Sequence, residues 1–148
     1  MAPDLTDLKY SDKKYDGWRQ AENTVTFSGS VSGKTTDIFT VTGDVRAKVV
    51  AVCSSMLSGA SATIAVGTSS LTSGIIAQTT ATDIDTNEIW HDTSPDANIE
   101  NVSVMTENII ANGLNIGYTV GNDDITGGTL RFLALWKPLS ADGNVVSS

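Results

Sequence analysis

Residues Gly127–Pro138, GGTLRFLALWKP, decide the fold class. After a glycine pair, Leu130, Phe132, Ala134 and Trp136 alternate onto one face, and Arg131, Leu133 and Leu135 take the other. That pattern belongs to a long strand covered at least in part on both sides. Pro138 ends it. The remaining segments are too short, or too rich in Thr, Ser and Ala, to nucleate a core alone, so they are expected to pack around this strand.

Upstream of it, residues 24–29 alternate Thr24, Thr26 and Ser28 with Val25, Phe27 and Gly29, as a half-buried strand does. Residues 32–35 (SGKT) read as a turn, and 37–41 (DIFTV) as a second strand. After a tight connection at Thr42-Gly43-Asp44, residues 45–53 (VRAKVVAVC) form a third. In it Val45, Ala47, Val49, Ala51 and Cys53 share one face. Arg46 and Lys48 then give way to Val50 and Val52 on the other, so the first half reads as half-exposed and the second as buried on both sides. Residues 62–66, 75–78, 88–90, 99–106, 108–111 and 114–120 add further strand signals. Thr82 or Asp83 is placed to cap one helical turn running to Asn87. Asn112-Gly113 predicts a type I′ hairpin, because both central residues of that turn need positive φ.

About eight to ten strands spaced roughly 8–12 residues apart, with no long helix, predict an all-β antiparallel β-sandwich, the jelly roll among its forms. The chain of 148 residues suits one such domain over 22–148. Residues 1–21 lack either period, yet hold Tyr10, Tyr15 and Trp18. Flexible tails are usually poor in aromatics, so this stretch is expected to be an extended N-terminal arm that docks, on its own domain or on a neighbouring subunit. Tyr10, Tyr15 and Trp18 are the candidate interface residues.

Charge narrows the partners. A formal net charge of -8 with nine scattered Lys and Arg argues against a nucleic-acid surface, which needs clustered cations that release phosphate counterions. No apolar run approaches the roughly 20 residues needed to span a bilayer, and no secretory leader opens the chain. A single cysteine, Cys53, excludes an internal disulfide framework and a cysteine-rich zinc site; at the end of an apolar strand it reads as a small buried hydrophobe.

Reactive motifs are incomplete. Gly33-Lys34-Thr35 ends like a phosphate loop, but Ser28 stands where its first glycine belongs, and a strand follows where a helix is required. Asp83, Asp85 and Asn87 match three positions of a calcium loop that then fails at Glu88 and Ser94. His91 is the sole histidine, near Asp92 and Asp96, and no Gly-x-Ser-x-Gly elbow accompanies it; a loop histidine bonded to a carboxylate is the expectation. Trp90 and Trp136 are expected in the core. Asn101-Val102-Ser103 spells a glycosylation acceptor but carries no weight without a leader. No catalytic residue, cofactor or metal is expected.

Residues 37–42 (DIFTVT) with Gly43-Asp44-Val45, residues 76–92 (IAQTTATDIDTNEIWHD) and residues 124–145 (DITGGTLRFLALWKPLSADGNV) resemble small structural proteins of tailed-bacteriophage virions, of the kind that decorate or cement the head. The resemblance covers roughly 37–146 and leaves out the arm. It implies a non-enzymatic virion component with a β-sandwich body, made in the host cytoplasm, forming homo-oligomers (trimers favoured) and binding the major capsid protein on the capsid exterior. A head-tail connector, or a tail or fibre module whose acidic segment 83–96 holds a cation or a host-surface glycan, is the alternative.

Overall fold

A computed structural model describes residues 17–148; Tyr10 and Tyr15 lie outside them. Among the described residues ten strands run in chain order: β1 (Arg19–Thr26), β2 (Thr35–Thr42), β3 (Val45–Ser58), β4 (Thr63–Gly67), β5 (Ile76–Thr80), β6 (Ile89–Trp90), β7 (Asn108–Ile110), β8 (Ile116–Gly121), β9 (Gly127–Pro138) and β10 (Asn144–Ser147). They form two antiparallel sheets, ordered β1-β9-β3-β6 with β7 also on β3, and β10-β2-β8-β4-β5. Only β4–β5 and β6–β7 are consecutive strands within one sheet. Strands 1, 9, 3 and 6 facing 2, 8, 4 and 5 are the double Greek-key wiring of a jelly roll, with β10 appended beside β2.

The GGTLRFLALWKP stretch is β9, paired along its length with β3 and with β1. Its inward set Leu130, Phe132, Ala134 and Trp136 is buried, while Leu133 and Leu135 are half-buried and Arg131 is exposed. On β3 the inward set Val45, Ala47, Val49, Ala51 and Cys53 is buried, and Arg46, Lys48, Val50 and Val52 are half-buried. The outer face is therefore neither open nor sealed. Across the sandwich Tyr118 of β8 stacks on Phe132 (centroids 6.4 Å apart, planes 2° from parallel) and takes Phe27 edge-on at 5.2 Å, geometries that suit the ring quadrupole. Trp90 is fully buried and donates its indole N–H to Thr79 Oγ1 at 2.9 Å. Gly128, at φ +107°, lies where a Cβ would meet the Met56 carbonyl oxygen at 2.5 Å; the glycine pair thus lets β3 and β9 stay paired through two register shifts.

Several expectations need correction. Segment 99–106 is not a strand: Val102–Val104 is a 3-10 turn, because Asn101 Oδ1 accepts the Ser103 N–H and offers the backbone a local alternative to a ladder. Asn112 and Gly113 do have φ of 61° and 66°, but they close no hairpin. β7 belongs to one sheet and β8 to the other. The turn is held by the β2–β3 corner, with the Asn112 N–H on Asp44 Oδ1 and the Gly113 N–H on the Gly43 carbonyl, so its twist carries the chain between sheets. The predicted helical turn is a 3-10 turn at Ala81–Asp83, preceded by Thr80 with no side-chain cap. β1 starts at Arg19, taking in Arg19, Gln20 and Ala21 of the expected arm, since their backbone pairs with Trp136, Leu135 and Ala134 of β9. Among the described residues no helix is long and apolar enough to cross a membrane.

Candidate functional site

The loop that leaves β6 and returns to β7, residues 91–107, lies over the outer face of β3 and carries the densest chemistry of the described chain. His91 directly follows β6, and its side chain is only 7% exposed. Three carboxylates surround it: Asp92 Oδ2 at 3.7 Å from Nδ1, and Asp96 Oδ2 at 3.3 Å and Glu100 Oε2 at 3.2 Å from Nε2. The β6 backbone fixes this geometry, because Ile89 and Asp96 exchange N–H···O bonds of 2.8 and 2.9 Å and bring Asp96 back beside His91.

Two of these acids share a hydrogen bond, which sets their titration apart. Its first consequence is for Glu100, held down at about 2 by the bond from Asp96, by the Asn101 N–H and by His91. Asp96 is raised, chiefly by the same contact with Glu100. When one proton remains between the pair it therefore resides on Asp96, and Glu100 is the carboxylate. A histidine bonded to nearby carboxylates is what the sequence predicts. His91, Asp92 and Asp96 also place one ligand atom each within 4.8 Å of one another, a spacing that suits a divalent cation. The calcium-loop residues are not gathered in this way: Asp83 and Asp85 are exposed, and the Asp85 N–H is taken by Glu88 Oε2 at 2.8 Å.

Beside the cluster, an apolar cavity of about 150 Å³ is floored by Val50, Val52 and Ile89 and walled by Val102 and Met105, with His91 and Glu100 on its rim. Val102 of its wall is 72% exposed; in the same loop Ile99 is 82% and Val104 46% exposed, and on β7 Ile109 is 71% exposed. Apolar side chains grouped on a surface in this way mark contact surfaces more often than single exposed ones do.

At the other end of the same face lies a cationic platform. The Trp18 ring is half-buried, with Lys137 Nζ 4.7 Å, Lys48 Nζ 4.9 Å and the Arg46 guanidinium 5.6 Å from its centroid. Arg46 also pairs with Glu107 at 2.6 Å. Hence Trp18, of the three candidate interface aromatics, packs on its own sheet. Sequence reasoning could not place it there, because Arg46, Lys48 and Lys137 meet only through β3–β9 pairing.

The remaining candidates are structural. Cys53 is fully buried, and burial pushes its thiol up, so the thiolate needed for nucleophilic work is disfavoured. Gly33 sits at φ +81° and donates its N–H to the Val120 carbonyl at 2.7 Å, a turn leading into β2. Asn101 is engaged as a local cap.

No family model matches the chain, and no curated protein does. Among solved structures, a chain described as "Cyanophage Pam1 capsid asymmetric unit" aligns over 82% of this chain and 85% of its own, with 14% identity and a TM-score of 0.45. At that identity and score the likeness says nothing of what this chain does.

Proposed function

We propose that this chain is a non-enzymatic structural component of a tailed-phage virion, a head decoration or cement protein that oligomerises and binds the major capsid lattice from outside. The observation that carries the reading is the exposure of large apolar side chains, Ile99, Val102 and Val104 in the 91–107 loop and Ile109 on β7. Burying such side chains against another chain removes apolar surface from water at roughly 25 cal/mol per Å². The sequence resemblance over 37–146 supports the same role. So does the short strand β10 at one sheet edge, since short edges resist open-ended strand addition while leaving faces free for specific contact. Tyr10, Tyr15 and Trp18 are assigned to the contacts of the N-terminal segment. A trimer is the favoured assembly, with no nucleic-acid or membrane partner and synthesis in the host cytoplasm.

Cosedimentation with capsids stripped of this protein tests the reading. Wild-type chain is expected to saturate a fixed number of lattice sites, and a chain carrying Ile99→Ser with Ile109→Ser to lose that binding while remaining folded. Equal binding by both, or none by either, rejects it. The connector or tail reading keeps one specific support, the His91, Asp92 and Asp96 ligand geometry. Calorimetry with calcium and with zinc distinguishes it: heat of binding that His91→Ala abolishes favours a cation-dependent module.

A further inference from the structure

The outer face of β3 carries charges of both signs that do not meet within one chain. Lys48, Val50 and Val52 follow one another on that face, and residues two apart on a strand lie about 7 Å from each other. Lys48 packs on the Trp18 ring, with Nζ 4.9 Å from its centroid. Val50 and Val52 floor the apolar cavity whose rim holds His91 and Glu100, with Asp92 and Asp96 beside the same histidine. Among the described residues Lys48 makes no ion pair, and no Lys or Arg reaches Asp92, Asp96 or Glu100. Their basic neighbour is His91.

A face that holds an unmet cation and unmet carboxylates is complementary to itself. Consider a two-fold axis that lies in the contact plane and crosses β3 at Val50. It puts the Lys48 of each copy opposite the Val52 of the other, because the two residues are equally far from Val50 along the strand. Each ammonium thereby arrives at the other copy's cavity and its carboxylate rim. An isologous contact is made twice, so one pairing meets both sets of charges, whereas a partner of one sign leaves one set unmet. Val102, on the cavity wall and 72% exposed, adds apolar area whose burial supplies affinity while the charges fix the register.

We propose that free chains pair with a second copy through this face, in a two-fold contact where Lys48 of each subunit meets Asp92, Asp96 and Glu100 of the other and Val102 of each is covered. This inference rests on the oligomerisation in the reading above, to which it gives a surface. It concerns chains off the lattice, so its test uses no capsid. Since Val102 is also among the side chains assigned to lattice contact, the pair has to open before the lattice is bound.

Sedimentation equilibrium of the full chain provides the measurement. Wild type is expected to shift over the micromolar range from the 15.5 kDa chain to twice that mass, and added salt to weaken the shift. Lys48→Glu and, separately, Asp92→Lys should each weaken association at least about tenfold, because each sets like charges opposite one another twice. Val102→Gln should weaken it through the lost apolar contact. The Asp92 side chain is 54% exposed and Val102 72%, so these variants keep the fold, which circular dichroism checks. A mixture of Lys48→Glu and Asp92→Lys chains should associate more tightly than either variant alone, since the mixed pair sets Glu against Lys once and keeps the native contact once. Wild type that stays at one chain mass overturns the proposal, as does association that neither charge reversal weakens, or a mixture that recovers nothing. A three-chain mass overturns the two-fold contact and leaves the capsid reading untouched. A chain that pairs yet fails to bind stripped capsids upholds the proposal and rejects that reading alone.

Discussion

The two faces of the β1-β9-β3 sheet are built from the same strands and differ in kind. Inward, Leu130, Phe132, Ala134 and Trp136 meet Val45, Ala47, Val49, Ala51 and Cys53 with no side chain more than 4% exposed. Outward, Leu133, Leu135, Val50 and Val52 are half-buried, the 91–107 loop over Val50 and Val52 leaves Ile99 and Val102 in solvent, and Ile109 of β7 is exposed as well. The inner face is complete within one chain. The outer face keeps apolar surface to spare, bordered by cations at one end and carboxylates at the other. Stability should thus reside on the inner face and recognition on the outer one.

Substitutions on the inner face give the largest expected effect on folding. Phe132→Ala removes a fully buried ring stacked on Tyr118 and should cost about 3–5 kcal/mol in chemical denaturation. A cost below about 1 kcal/mol would mean that the two sheets are not packed through this ring. Next, Thr79→Val deletes the acceptor of the buried Trp90 indole N–H, for an expected loss of about 1–3 kcal/mol; Thr79→Ser, which keeps the hydroxyl, should recover much of it.

The acid limb of the stability curve probes the border of the outer face. Glu100 titrates at about 2 in the folded chain, below the ordinary glutamate value of 4.5. Its contribution is present above the unfolded value and is lost as pH falls from about 4.5 towards 2. Asp96 is raised and acts in the opposite sense, so the limb reports the pair. Denaturation midpoints measured across that interval should fall with pH in the wild type, and less steeply in Glu100→Gln. Identical slopes would remove Glu100 from the linkage.

The smallest stability effect belongs to the exposed apolar residues. Ile109→Ser and Val102→Gln should each lie within about 0.5 kcal/mol of wild type, although they are the substitutions expected to impair contacts with other chains. A stability loss comparable to that of Phe132→Ala would erase the distinction between the faces.

Much of the inner face is legible in the sequence. Period-two alternation in 45–53 and 127–138 identifies β3, β9 and their buried sets, since the pleat sends successive side chains to opposite sides. Locally coded features are less secure. Asn112-Gly113 has the conformations its residue types favour, yet hydrogen bonds from the β2–β3 corner make it a crossover between sheets instead of a hairpin. The β-branched residues of 99–106 do not make a strand, because Asn101 bonds the local backbone and no partner strand lies alongside among the described residues.

By itself, the sequence determined an all-β sandwich around Gly127–Pro138, with Trp90 and Trp136 inside and His91 set among acids, because strand periodicity and side-chain polarity act over a few residues. Only the tertiary structure decided that β1 and β3 flank β9, that Trp18 rests on Arg46, Lys48 and Lys137, and that Glu100 joins the His91 cluster beside an apolar cavity. Those neighbours are fixed by pairing between strands far apart in the chain, and the alternation within one strand holds no record of which strand will lie next to it.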